Sequence, residues 1–313
     1  MKEAPDKVND GNRRRLVALG MACLLLVLVI LALFALAGTP TPATPQVGTT
    51  PPATQSGTTP PPSVGPGGLM VFAASSLKES FTEAGRNFKT ANPNVTDVEF
   101  NFAGSQQLVT QLAQGAPADV FASADKPNMD KAAGAGDIEG SPQELARNLL
   151  VVAVPNDNPA HIQSLHDLGR AGIKISLADP SVPVGNYSLQ VFDKLSADPA
   201  YGAGFKQQVL NNVVSRENNV RQVLTRVQLG QVDAGIVYAT DARAANAAAT
   251  GSVPPVQTIE IPAPYNVTAI YYIAAVKGAA HPAAARAWIS YILSPAGQAV
   301  LGKYGFVAAG GGQ

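Results

Sequence analysis

Apolar residues fall along this chain in three different rhythms. Leu16 to Ala37 is an unbroken run of 22 positions without a charge. From Gly38 to Gly68 the chain is mostly Pro, Thr, Gly, Ser and Ala, with almost no large apolar side chain. From Leu69 onward, short apolar runs alternate with stretches whose apolar positions recur every three or four residues. Runs of the first sort in this last segment predict buried strands, and the 3–4 spacing predicts amphipathic helices.

The alternation is regular enough to place elements. Leu69–Ala73 reads as a strand, followed by a helix carrying Leu77, Phe81, Ala84 and Phe88. Strands are predicted at 98–102, 119–122, 149–154, 174–177, 234–238 and 269–276, and helices at 106–114, 186–195, 220–229, 282–293 and 295–304. Strands alternating with helices argue for an α/β fold of parallel sheets covered by helices. For the 245 residues from 69 to 313, two α/β lobes are more economical than one large sheet. The expected division is lobe 1 at about 69–154 and 266–313, with lobe 2 at about 155–265.

The first run is long enough to cross a membrane. At about 1.5 Å per residue it spans roughly 33 Å, against a bilayer core of ~30 Å. Arg13, Arg14 and Arg15 precede it directly. The positive-inside rule then puts residues 1–15 in the cytoplasm and everything after residue 37 on the extracytoplasmic face. Residues 16–37 are read as an uncleaved transmembrane anchor. A cleaved signal peptide, with a normal apolar core of about 7–15 residues, and lipidation at Cys23 stay open as alternatives. Residues 38–68 cannot bury enough surface to offset the entropy of ordering and are read as a disordered linker. As a flexible coil it would span about 30 Å, enough to let a domain reach a partner in the same membrane.

Charge and cysteine usage narrow the chemistry. Lys and Arg total 22, Asp and Glu 22, for a formal net charge of zero. Five basic and three acidic residues precede residue 69, which leaves the folded part nearly neutral with 17 and 19. A nucleic-acid surface needs clustered cations, so none is expected. Cys23 is the sole cysteine and lies in the apolar run, which excludes an intramolecular disulfide. His161, His166 and His281 lack metal-ligand spacing, so no direct metal-ion ligands are expected. Ser75-Ser76-Leu77-Lys78 matches S-x-x-K, but the S-D-N and K-T-G elements that accompany it in penicillin-binding enzymes do not occur. G-x-S-x-G, the P-loop motif and H-E-x-x-H are also missing. The chain is read as a binding protein and not an enzyme.

In open α/β sheets ligands sit at the carboxyl ends of strands, against helix N-termini. The candidate segments are therefore Ser75-Ser76, Gly104-Ser105, Asp179 to Gly185, and Asn218-Asn219 before Val220. Each has an ordinary structural explanation. Ser76 with Glu79 forms a capping-box pattern, and Ser105 after Gly104 reads as an N-cap.

These junctions carry a resemblance to a known family. The segments Val71-Phe72-Ala73-Ala74-Ser75-Ser76-Leu77, Phe102-Ala103-Gly104-Ser105 and Gly115-Ala116-Pro117-Ala118-Asp119-Val120-Phe121-Ala122-Ser123-Ala124-Asp125 resemble the periplasmic molybdate-binding proteins of molybdate ABC transporters. So do Ala178-Asp179-Pro180, Val182 to Tyr187, Asn219-Val220-Arg221, Gly235 to Tyr238 and Lys303-Tyr304-Gly305-Phe306. The resemblance covers essentially all of 69–313. It implies a type II periplasmic-binding-protein fold, with molybdate or tungstate held in a cleft between hinged lobes and no cofactor. It implies contact with the oxyanion through Ser76 and Ser105 by hydroxyl and backbone N–H, through the backbone N–H groups of Val184 and Val220, and through the Tyr238 hydroxyl. The family more often has Ala at position 75 and Ala or Tyr at 184, changes that keep every backbone donor. Implied partners are a membrane permease and its ATPase, with the receptor itself a monomer. Arg221 is read as a structural or rim residue, because a site of neutral dipoles does not require it. A receptor for sulfate- or phosphate-type anions and a ligand sensor are the alternatives.

Overall fold

The computed structural model describes residues 67–310. The expected cytoplasmic segment, anchor and Cys23 lie outside the described residues, as does the linker except for its last two positions. Gly67 and Gly68 belong to the first strand, β1 (Gly67–Ala74), so the fold begins two residues earlier than the composition suggests. Among the described residues no helix is long and apolar enough to cross a membrane.

Lobe 1 is built on a six-stranded sheet. β1 is its parallel centre, flanked by β2 (Val95–Ala103) and β3 (Val120–Ser123). The single turn Ser75–Leu77 leads from β1 into helix α1 (Lys78–Ala91), and α2 (Ser105–Ala113) follows β2. Helix α3 (Lys126–Gly134) follows β3, and β4 (Ile138–Asn148) ends the first pass through this lobe. Alternation along β1 sorts its side chains between two layers. Leu69, Val71 and Ala73 face the larger core with Phe81 and Phe88, while Phe72 packs on the other side with Leu108, Phe121 and Met129.

Lobe 2 carries a five-stranded sheet. In chain order it comprises β5 (Leu150–Pro155), β6 (Ile175–Ala178), α4 (Pro183–Ala197), α5 (Phe205–Asn211) and β7 (Val213–Glu217). It continues with α6 (Val220–Gln228), β8 (Ala234–Tyr238), α7 (Ala239–Ala247) and β9 (Val256–Glu260). The spatial order is β7-β6-β8-β5-β9. The chain then returns to lobe 1 as β10 (Ala269–Val276), α8 (Pro282–Leu293), α9 (Pro295–Lys303) and β11 (Val307–Ala308). Trp288 of α8 is fully buried edge-on against Phe81 and Phe88, each with ring centroids 5.4 Å apart.

Three expectations need correction. The sheets are mixed and not purely parallel: β10 runs antiparallel to β3 and β4, and β5 antiparallel to β8 and β9. These are the strands beside the two crossings, where the chain enters each sheet without a covering helix to reverse it. Second, the 149–154 run pairs with β8 and β9, so it belongs to lobe 2. The first crossing falls between Asn148 and Leu150, some five residues before the expected boundary. Third, the apolar pattern does not predict β4. Its residues IEGSPQELARN are mostly polar and include Pro142, and its ladder with β10 shifts register between Gln143 and Glu139. A proline has no N–H to give a ladder, and strands tolerate it at such irregularities.

Asn266 ties the two crossings together. Its Oδ1 accepts from Leu150 N–H at 3.2 Å, and its Nδ2 donates to Leu150 O at 2.9 Å and Ile261 O at 3.1 Å. One side chain thus binds both connecting segments, which is where relative motion of the lobes must be absorbed.

Candidate functional site

Parallel strands place their following helices so that the helix N-termini meet at one edge of each sheet. Here the edges of the two sheets face each other. The Ser75–Leu77 turn and the start of α2 come from lobe 1, and the starts of α4 and α6 from lobe 2. They enclose a cavity lined by Ser76, Ser105, Val184, Val220 and Tyr238, together with Ser75, Gly104, Pro183 and Asn219. The five residues singled out from the sequence thus lie round one cavity. With the lobes in this arrangement it is small.

The local sequence explains the donors. The first amides of a helix have no intrahelical acceptor. On α4 Pro183 occupies the first position and carries no N–H, so Val184 is the first residue that can donate there. On α6 the Asn219 side chain accepts from Gln222 N–H at 3.1 Å, which leaves the Val220 amide at the very start of the helix. Gly185 permits the tight entry into α4, since a Cβ there would overlap the carbonyl oxygens of Asp179 and Ala178.

Neither serine acts as the cap that its sequence context suggests. Gly104 is the N-cap of α2, and Ser105 is its first helical residue. The Ser105 hydroxyl instead accepts from Ala124 N–H at 3.1 Å, in a fully buried position. Ser76 sits inside the Ser75–Leu77 turn, and its Oγ lies 2.8 Å from the Tyr271 hydroxyl. The Ser76–Glu79 capping box does not form, because Glu79 turns away to an arginine of the other lobe. The Tyr238 hydroxyl is buried at the cavity and has no hydrogen-bond partner. Burial raises its pKa well above the ordinary tyrosine range, so it is a neutral phenol with a proton to give.

Charge stays out of the cavity. The Arg221 guanidinium pairs with Glu79 of α1 and, at 2.7 Å, with Asp241 of α7. It does not line the cavity, as the sequence reading expects of a structural or rim residue. Burial pushes the fully enclosed Asp241 carboxyl up to about 6, with Arg221 the largest opposing influence. The Arg221–Glu79 pair crosses from lobe 2 to lobe 1. A second link across the cleft is Gln106 Nε2 donating to Asn218 O at 2.8 Å. Gly104 makes this approach possible, since a Cβ there would overlap Asn218 O. The site is therefore seen with its lobes closed. Three helix starts, each bearing roughly half a positive charge, the Ser75–Leu77 turn and three hydroxyls can together stabilise a small anion without any cationic side chain. Among the described residues no group of three or more His, Cys, Asp or Glu is placed to hold a metal ion.

Comparison with known proteins agrees with this architecture. The family described as bacterial extracellular solute-binding protein matches residues 69–307. This chain belongs to that family. Among its relatives is the molybdate-binding protein ModA of Mycobacterium tuberculosis, 38% identical over 245 residues, which span 78% of this chain and 86% of the relative. The periplasmic molybdate-binding protein of Azotobacter vinelandii has a similar structure, with a TM-score of 0.63 at 23% identity over 76% of this chain and 98% of that one. The sulfate-binding protein SubI of Mycobacterium tuberculosis has a TM-score of 0.70 at 20% identity, over 78% and 87% of the two chains. Both structures share the fold of this solute-binding protein.

Sequence reasoning misses several residues round the site. Tyr271, Asn148 and Asp241 are not marked by any motif, and Gly104, Glu79 and Arg221 fall within motifs that say nothing of their contacts across the cleft. For Tyr271 a signal exists: a tyrosine in a buried strand needs a partner for its hydroxyl. The others depend on which lobe meets which, and the local sequence does not carry that.

Proposed function

We propose that this chain is the extracytoplasmic substrate-binding component of a molybdate/tungstate ABC transporter. It closes round the tetrahedral oxyanion through Ser76, Ser105, Val184, Val220 and Tyr238 and delivers it to a permease driven by an ATPase subunit. No reaction is catalysed. Residues 16–37 hold it at the extracytoplasmic face of the membrane, and the linker to residue 68 gives it reach. What carries this reading is the convergence of uncharged donors on one small cavity, with the Tyr238 hydroxyl buried there and unpartnered. A buried hydroxyl without a partner costs about 1–3 kcal/mol, which a bound acceptor recovers. The molybdate-binding relatives at 38% identity support the choice of anion.

Calorimetric titration of the full-length chain with molybdate, tungstate and sulfate tests the proposal. Molybdate and tungstate are expected to bind at least tenfold more tightly than sulfate, a margin of about 1.4 kcal/mol. Sulfate binding tighter than both would make this a sulfate receptor. Heat from none of the three would end the oxyanion reading altogether. The mass of the mature N-terminus distinguishes the anchor from cleavage or lipid attachment at Cys23.

A further inference from the structure

Arg221 serves two carboxylates at once, one on each lobe. Its Nε lies 2.7 Å from Asp241 Oδ1, and Asp241 is completely buried in lobe 2. Its Nη1 donates to Glu79 Oε1 of lobe 1 at 3.1 Å, and its Nη2 donates to Glu79 Oε2. The planar guanidinium thus gives a separate edge to each carboxylate, which a lysine ammonium could not do. The two pairs differ in what they depend on. The Asp241 pair lies within lobe 2, between α6 and α7, and does not require closure. The Glu79 pair exists only while the lobes meet. Asp241 therefore holds the guanidinium in place before Glu79 arrives, and little side-chain freedom is left to lose on closing. With the lobes together the Arg221 and Glu79 side chains are only 23% and 34% exposed. A forked, charge-assisted pair shielded to this degree is stronger than an ordinary surface ion pair. It also sits close to the site on both sides. Arg221 directly follows Val220, and Glu79 comes three residues after Ser76.

We infer that Glu79 and Arg221 form a latch, positioned by Asp241, whose breaking sets the rate at which the bound anion leaves the cleft. None of the three residues lines the cavity, so the latch acts on the lifetime of the closed state and not on contacts with the anion. The pair forms only once the lobes have come together. It therefore slows opening without helping the anion to enter, and its effect falls on the dissociation rate. A carboxylate beside the cleft repels an approaching anion, so removing Glu79 should not slow entry. The inference rests on the oxyanion reading above and says what governs release from that site.

Release of labelled molybdate into an excess of unlabelled molybdate, measured on the full-length chain at neutral pH, tests it. Glu79→Ala is the variant to use, because Arg221→Ala would strand the buried Asp241 carboxylate and endanger the fold. Release should quicken about three- to tenfold, with association no slower. The ligand-free melting temperature should stay within about 2 °C of the wild type, since Glu79 has no partner on its own lobe to lose. Glu79→Gln keeps an acceptor without the charge and should fall between the two. Glu83 lies one turn further along α1 and pairs with Lys303 at 2.6 Å inside lobe 1, so Glu83→Ala breaks an ion pair that does not cross the cleft. It should leave release unchanged. Raising NaCl from about 0.05 to 0.5 M should speed release from the wild type more than from Glu79→Ala. Unchanged release in Glu79→Ala, equal quickening in Glu83→Ala, or an affinity loss carried by slower association would overturn the latch alone. A wild-type chain that binds neither molybdate nor tungstate overturns the functional reading and this inference with it.

Discussion

Hydroxyls round the cleft differ in what else they do, and that difference separates binding from folding. The Tyr238 hydroxyl has no partner within the protein, so Tyr238→Phe removes nothing the fold uses. Its melting temperature should match or slightly exceed that of the wild type, while molybdate affinity falls about tenfold, the worth of a hydrogen bond to a charged group. Ser105 is different, because its oxygen satisfies the buried Ala124 amide. Ser105→Ala leaves that N–H orphaned and should cost about 1–3 kcal/mol of stability in addition to affinity. Thermal melts of the two ligand-free variants, paired with calorimetry, check the contrast. Equal destabilisation would mean that Tyr238 has a structural partner. Under the proposed function Val184 and Val220 act through backbone amides, so conservative side-chain substitution should leave their contribution unchanged.

At the scale of elements, Gly104 joins β2 to α2 and also sets how closely the lobes approach. Its backbone is extended, with φ −65° and ψ 140°, a conformation that alanine adopts freely. The obstacles to a side chain are Asn218 O of the other lobe, which is backbone and fixed, and the end of the Gln106 side chain, which can swing aside. Gly104→Ala is therefore expected to leave the stability of the ligand-free protein within about 0.5 kcal/mol, the usual range for substitutions that break nothing. Molybdate affinity should fall by tenfold or more, because the closed cleft cannot form. Small-angle scattering with and without molybdate should show compaction in the wild type and none in the variant. This also shows where sequence reading stops. β1, β8 and β10 are legible as short apolar runs and α1 by its apolar spacing of three to four. β4 is not, since its buried positions are few and Pro142 interrupts its ladder. The direction of β10 and the partners of β5 are settled by which sheet each strand joins, and no local period encodes that. The same holds for the site: its helix starts are marked by Ser, Pro and Asn, whereas Tyr271 and Gly104 acquire their roles from chain segments 112 or more residues away.

For the whole molecule, the Glu79–Arg221–Asp241 cluster couples the packing of both lobes to pH. Asp241 is completely buried, and burial raises its carboxyl from 3.8 to about 6 despite the facing Arg221 guanidinium. The folded chain thus holds a proton at pH values where the unfolded chain has released it. A carboxyl raised in this way contributes stability that is fully present below about pH 4 and is lost as pH rises through about 6. A rise of this size corresponds to about 3 kcal/mol. Other groups titrate in the same window, so the informative quantity is a difference between two proteins. Asp241→Asn removes this titration and keeps the shape of the side chain. The melting temperature of Asp241→Asn minus that of the wild type should rise between pH 5 and pH 8. The expected increase is several degrees, since about 1 kcal/mol moves a protein of this size by roughly 2–4 °C. A difference that falls over the same range would mean that the ion pair with Arg221 outweighs the cost of burying the carboxylate. In that case the cluster would hold the lobes together most firmly when fully charged.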